Sequence, residues 1–355
     1  MVRAAALVLA LTACAHHARP DCASQDPLAF DRCVGGALDQ VLVTSGSRAE
    51  IDDADLRAYV RAVGMRLVHV AGNHDAWTFR VVDDPEVSGE SSPGNTIYIT
   101  RGAIARLRDE AELAGLLGHE IGHALAGHAH DALVERTRDI ATETHDRDRD
   151  DEIQADELAV SLIARAGYDP NAVETMLRAI AAGAGPGDDT DIHPPMAQRV
   201  ARVRAFASQF PPTGEHNAAA FASHVRRLVV GNDPRVVHVV DGAIVLARAG
   251  LAIDMPHGSE AQLDAGQAIA AVSGAAVIIK PITREFARYI TPEKDPDKLT
   301  IVRQGEHGAA MIAIVGPAPK QTLASLRLRA PTVAELAQLQ PRLMDPTAPR
   351  KLWPE

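Results

Sequence analysis

Residues Asp109 to His128 read DEAELAGLLGHEIGHALAGH and contain His119-Glu120-Ile121-Gly122-His123, an HExxH pattern. On an α-helix, residues four apart lie on one face, so both imidazoles can converge on a single ion. Zinc accepts two such nitrogens, needs a third protein ligand and leaves a fourth position for water. Glu120 sits one residue beyond His119, about 100° around the helix, where it can reach that water without ligating the metal. A carboxylate there can take the water's proton and later return it to a leaving amine. The stretch must therefore be a helix, and its residues outline peptide-bond hydrolysis.

Independent signals support that helix. Asp109 and Glu112 form a D-x-x-E capping box that starts it about ten residues before the histidines. Leu113, Leu116, Leu117 and Ile121 recur at helical spacing and give it a buried face. Gly115, Gly118 and Gly122 are harder to explain, because each costs a helix interior roughly 1 kcal/mol against Ala. Small residues here predict close approach by another segment.

The 355 residues are long for one domain and predict two. A 46% hydrophobic content permits proper cores, but with only 3% aromatic residues Ala, Val, Leu and Ile must fill them. The net charge of −11 supplies no basic surplus to neutralise phosphates, which argues against nucleic acid as a partner. Residues 1–13 read as a lipoprotein signal: Met1-Val2-Arg3, then an apolar run ending Leu11-Thr12-Ala13-Cys14, similar to a bacterial lipobox. Cys14 would become the lipidated N-terminus, and Ala15 after it favours an outer-membrane anchor facing the periplasm. An ordinary secretory signal is the alternative. With Cys14 set aside, Cys22 and Cys33 remain as a possible disulfide in an oxidising compartment.

Along the chain, residues 14–26 read as a tether, 27–46 as a short helix and Asp52 to His69 as a stronger one. Trp77 to Val82 and Thr96 to Thr100 alternate as strands. The charged run from Asp131 to Asp151 reads as a solvated face or mobile loop. His128, His130 and His145 fall near the site; His128, five residues beyond His123, lies off the ligand face, at the surface or behind a ligand. Glu152 and Asp156 share a face of the next helix, as solvated acidic pairs commonly do. Beside an HExxH lacking its third ligand, Glu152 is the candidate, and Asp156 could accept the far N–H of a metal-bound imidazole. His193, in the loop before Pro194-Pro195, could supply a proton donor.

Three blocks, IYITRGAIARLRDEAELAGLLGHEIGHALAGH, EIQADELAVSLIARAGYDP and HPPMAQRVARVRA, cover roughly residues 97 to 205. In this order they resemble the HtpX and CAAX prenyl-protease type of gluzincin metallopeptidase, in its soluble, periplasmic lipoprotein branch. The resemblance implies one zinc ion held by His119, His123 and Glu152, with Glu120 as general base. It also implies that Asp156 supports a ligand and that His193 and Arg199 belong to the active site, His193 as an oxyanion donor. Relatives usually carry an Asn-Ala-Phe-like segment before Pro-Gly, on an edge strand facing substrate. This chain has Ser88-Gly89-Glu90 before Pro93-Gly94 instead.

The expected fold is α+β: a mainly helical gluzincin domain with a small β-sheet over residues 27–210, then a linker over 211–225. A smaller mixed α/β accessory domain follows over 226–355, with Gln321 to Leu343 largely helical but broken at Pro331. The expected function is zinc-dependent cleavage of unfolded or extended envelope polypeptides by a chain tethered to the membrane through a lipid anchor. The rival readings are a non-catalytic chaperone or assembly lipoprotein retaining the fold, and a working accessory domain beside a latent protease domain.

Overall fold

The computed structural model describes residues 22, 26–46, 48–131, 144–182, 194–264, 266–288, 290, 295–305 and 308–348. They fall into two compact units, one built chiefly from Glu50–Val230 and the other chiefly from Gly231–Arg342.

In the first unit, helix α1 (Pro27–Thr44, of which the part to Asp39 belongs here) is followed by α2 (Ala54–Ala71). Asp53 caps α2 by accepting from the Leu56 N–H, and Gly72 ends it in the left-handed region. Three strands follow: β1 (Thr78–Val82), β2 (Gly89–Ser92) and β3 (Thr96–Thr100). Their order is β1-β3-β2, with β3 parallel to β1 and antiparallel to β2. This leaves β3 central and wholly buried, and β2 at an edge. β2 is too short and polar to show a strand period in sequence. Cys22 and Cys33 are joined by a disulfide with Cα atoms 5.6 Å apart.

A one-turn helix, α3 (Arg101–Ile104), leads into the metal-site helix α4 (Glu110–Ala126). Asp109 accepts from the Glu112 N–H, as a capping box requires. The Glu112 carboxylate bonds back to the Arg108 N–H at 2.7 Å, one residue earlier than the box predicts. Helix α5 (Thr144–Arg165) packs along α4, followed by α6 (Ala172–Ala181) and α7 (Met196–Ala207). The α4 glycines mark that contact. A Cβ on Gly118 would lie 3.3 Å from Ala159 Cα, and one on Gly122 would lie 3.0 Å from Ala155 O. The glycines let the helix carrying both histidines approach the helix carrying Glu152.

Residues 211–225 do not form a linker. They include α8 (Ala218–Val225), whose Phe221 and Val225 are fully buried in the same core as α2 and α4. Nor does the first unit end there. Leu343 bridges to Val229, and the Met344 N–H donates to Leu228 O.

The second unit is mostly sheet rather than evenly mixed. Strands β4 (His238–Val240), β5 (Ala243–Leu246) and β6 (Leu251–Asp254) form one antiparallel sheet with β12 (Arg327–Arg329), in the order β12-β6-β5-β4. Strands β7 (Ala261–Asp264), β8 (Gln267–Val272), β9 (Ala275–Ile282), β10 (Lys298–Gln304) and β11 (Ala309–Val315) form another, ordered β10-β11-β9-β8-β7. Aliphatic residues of both sheets, among them Ile244, Ile253, Val277 and Ile312, share one core. The C-terminal stretch is broken at Pro331 as expected, into short α9 (Pro319–Ser325) and α10 (Val333–Gln338), but it is less helical, with strand β12 between them. No described helix is long and apolar enough to cross a membrane.

Candidate metal centre

Helix α4 presents His119 and His123 one turn apart, with their Nε2 atoms 3.2 Å from each other. Helix α5 brings Glu152 against both: its Oε1 lies 3.3 Å from His123 Nε2 and its Oε2 lies 3.5 Å from His119 Nε2. One ligand atom from each of the three residues falls within 4.8 Å of the others. Two imidazole nitrogens and one carboxylate form a donor set suited to catalytic zinc, and the site's remaining polar groups fit it too. Both Nε2 atoms face Glu152, while each Nδ1 faces a different group, Asp156 for His119 and His128 for His123.

His119 Nδ1 lies 3.0 Å from Asp156 Oδ1. Asp156 accepts a bidentate pair of bonds from Arg199, Nε and Nη2, each 2.8 Å long. The third guanidinium nitrogen, Nη1, lies 2.9 Å from Glu152 Oε2. Arg199 thus contacts Glu152 directly and is linked to His119 through Asp156. Burial alone would raise the Asp156 carboxyl, but Arg199's charge and hydrogen bonds and the contact with His119 hold it below the usual range. His119 shows the reverse balance. Burial lowers it, while Asp156's hydrogen bond and the charges of Glu152 and Asp156 together raise it.

Glu120 is buried beside the ligands, and burial pushes its carboxyl above the usual range. Its Oε1 faces the edge strand at Gly89, where an added Cβ would lie only 2.3 Å away. The segment that departs from the Asn-Ala-Phe-like pattern is therefore the one that makes room for Glu120.

His128 was placed by spacing away from the ligands. Its Nδ1 lies 2.9 Å from His123 Nδ1, and its Nε2 lies 2.9 Å from Gln154 Oε1 and 3.2 Å from Asp151 Oδ1. Gly127 turns left-handed after α4, so the chain leaves the helical path before His128 and sets it behind His123, off the ligand face. His130 bonds to Asp31 of α1 at 2.7 Å. His193, Cys14 and the His145 side chain lie outside the described residues.

The description "peptidase family M48" belongs to a family model matching residues 52–142 and 145–207, which include His119, His123, Glu152 and Arg199. Over this stretch the chain is similar to peptidase family M48. Relatives extend the match. The mitochondrial metalloendopeptidase OMA1 of Arabidopsis thaliana is 27% identical over 151 residues, covering 36% of this chain and 31% of that protein. The same-named protein of Schizosaccharomyces pombe is 24% identical over 203 residues, 51% of this chain and 56% of that one. The beta-barrel assembly-enhancing protease of Escherichia coli K12 is 24% identical over 204 residues, 47% of this chain and 42% of its own length. The chain spans less than two thirds of each of these relatives. By their names these relatives are metalloendopeptidases or a protease. They place the likeness at M48 as a whole, with OMA1 and the assembly-enhancing protease as relatives, rather than at the HtpX and prenyl-protease type.

Proposed function

We propose that this chain is a zinc-dependent endopeptidase that cleaves unfolded or misassembled polypeptides in a bacterial cell envelope. The observation that carries the reading is the convergence of His119, His123 and Glu152 beside a buried, intact Glu120. His119, His123 and Glu152 would hold the metal, which supplies a Lewis acid that polarises the scissile carbonyl and acidifies water. Glu120 accepts the proton from the attacking water and delivers it to the leaving amine nitrogen; its burial, which raises its pKa, suits both halves of that task. Asp156 and Arg199 keep the ligand side chains oriented, so the catalytic groups need no rearrangement as charge develops. His193 is assigned as a donor to the developing oxyanion, on the strength of its motif.

Substrate is proposed to enter as an extra strand beside β2. Its position at the sheet edge and the nearness of Gly89 to Glu120 support this. Backbone pairing of that kind reads extended conformation more than sequence, which suits loose specificity. The envelope setting and an outer-membrane lipid anchor at Cys14 rest on the lipobox-like run. A relative whose name describes enhancement of β-barrel assembly agrees with such a setting.

The test is casein or quenched-peptide cleavage by the parent and by Glu120→Gln, with and without a chelator. The expected result is chelator-sensitive cleavage that falls at least about 10²-fold in the variant while zinc is retained. Equal rates in the two proteins would exclude Glu120 as the base. A parent inactive under both conditions would favour the chaperone reading.

A further inference from the structure

We infer that His128 is a positioning residue for the metal ligand His123, fixing its tautomer and tying it to the helix that carries Glu152. The inference rests on the metal reading above. Asp151 and Gln154 lie on α5, either side of Glu152 and within two residues of it. His128 reaches both through Nε2 and reaches His123 through Nδ1.

Proton counting fixes the direction of this relay. An ionised carboxylate only accepts hydrogen bonds, so the His128 Nε2 facing Asp151 must carry the hydrogen. A neutral His128 then offers a bare Nδ1, and an acceptor there requires His123 Nδ1 to be the donor. With its hydrogen on Nδ1, His123 keeps a lone pair on Nε2, the atom facing His119 and Glu152. The chain of bonds thus runs His123 Nδ1–H to His128 Nδ1, then His128 Nε2–H to Asp151 and Gln154.

The two ligand histidines are therefore supported differently. His119 leans on a buried carboxylate gripped by Arg199. His123 leans on a second imidazole whose partners belong to the same turn of α5 as the third ligand. Outer partners of ligating histidines commonly contribute 10- to 100-fold to metal affinity. Loss of His128 should fall in that range, because it releases the His123 ring and loosens α4 from the first described turns of α5.

The experiment uses the full chain and two readouts. Zinc affinity is measured by competition with a chromophoric chelator for the parent, His128→Phe and a double variant, Asp151→Asn with Gln154→Leu. Nitrogen-15 histidine spectra of the metal-free protein report the His123 tautomer directly. We expect a dissociation constant raised about 10- to 100-fold in His128→Phe, with unchanged helix content by circular dichroism, and a smaller rise in the double variant. We also expect the Nδ1–H form of His123 in the parent and a tautomer mixture in His128→Phe. Affinity within twofold of the parent, or an Nε2–H His123 in the metal-free parent, overturns the inference. If His128→Phe fails to fold, the double variant and the parent spectrum decide. A parent that binds no zinc removes the metal reading itself, and this inference with it.

Discussion

Arg199 shows how much one buried side chain can organise. It faces two carboxylates, Asp156 and Glu152, and both it and Asp156 are nearly inaccessible to solvent. Removing it leaves two buried anions without their shared cation, which typically costs about 3–5 kcal/mol. Arg199→Leu should therefore lower metal-free stability by about that amount in urea titration, with weakened zinc binding alongside. A loss below about 1 kcal/mol would mean that water replaces the guanidinium. Gly89 is the second residue whose role is set by contact. A Cβ there would press on Glu120 Oε1, so Gly89→Ala should displace the base while leaving the ligands untouched. Misplacement of about 1 Å can cost roughly 10² in rate; kcat is expected to fall on that scale with zinc stoichiometry unchanged. Full activity in Gly89→Ala would show that the edge strand gives way instead.

Helix α4 is held at its start by a distant segment. His216 O accepts from the Glu110 N–H at 3.0 Å and from the Ala111 N–H at 3.4 Å, covering donors that the helix itself cannot satisfy. The His216 ring also bridges Asp109 and Asp169, at 2.9 and 3.2 Å. Partial burial lowers this imidazole, but Asp109's hydrogen bond and the charges of Asp109 and Asp169 outweigh it and raise it above its usual range. A folded-state value above the unfolded one stabilises fully below the ordinary value of about 6.5. The contribution is then lost as pH rises through the higher folded value. The stability gap between parent and His216→Phe should accordingly be wider at pH 5.5 than at pH 8.5 in denaturant titrations. A gap that does not change with pH would leave only the backbone cap, which both proteins keep.

At the scale of the molecule, the first unit continues through the stretch expected as a linker, 211–225, to Val230, and the second begins at Gly231 where residue 226 was expected. The Pro-Pro-Thr-Gly stretch at 211–214 reads as a linker, yet α8 after it buries Phe221 completely. Deleting a buried aromatic side chain costs about 3–5 kcal/mol. Phe221→Ala should lower the unfolding midpoint of the first unit and weaken zinc retention on heating. If residues 211–225 were a free linker, the substitution would change neither. The first unit also takes Leu343 and Met344 back from beyond the second, so its contacts join segments over a hundred residues apart. A pattern read in short windows has no access to such pairings.

The sequence by itself determined the helix of the HExxH and its cap at Asp109, and set His119 and His123 on one face with Glu120 beside them, because helical periodicity and capping are local properties. It also predicted the strands over Trp77–Val82 and Thr96–Thr100, which form as Thr78–Val82 and Thr96–Thr100. Glu152 and Asp156 were legible once the missing third ligand made an acidic pair informative. Only the tertiary structure decided what surrounds these groups. β2 has no period of its own and exists because β3 pairs with it. Gly118 and Gly122 owe their place to the approach of α5, and Gly89 owes its place to Glu120. Residues 327–329 became a strand because β6 offered an edge. His128 returned to the ligand His123 because Gly127 ended the helix in the left-handed region, so that spacing along α4 no longer set the direction of the next side chain.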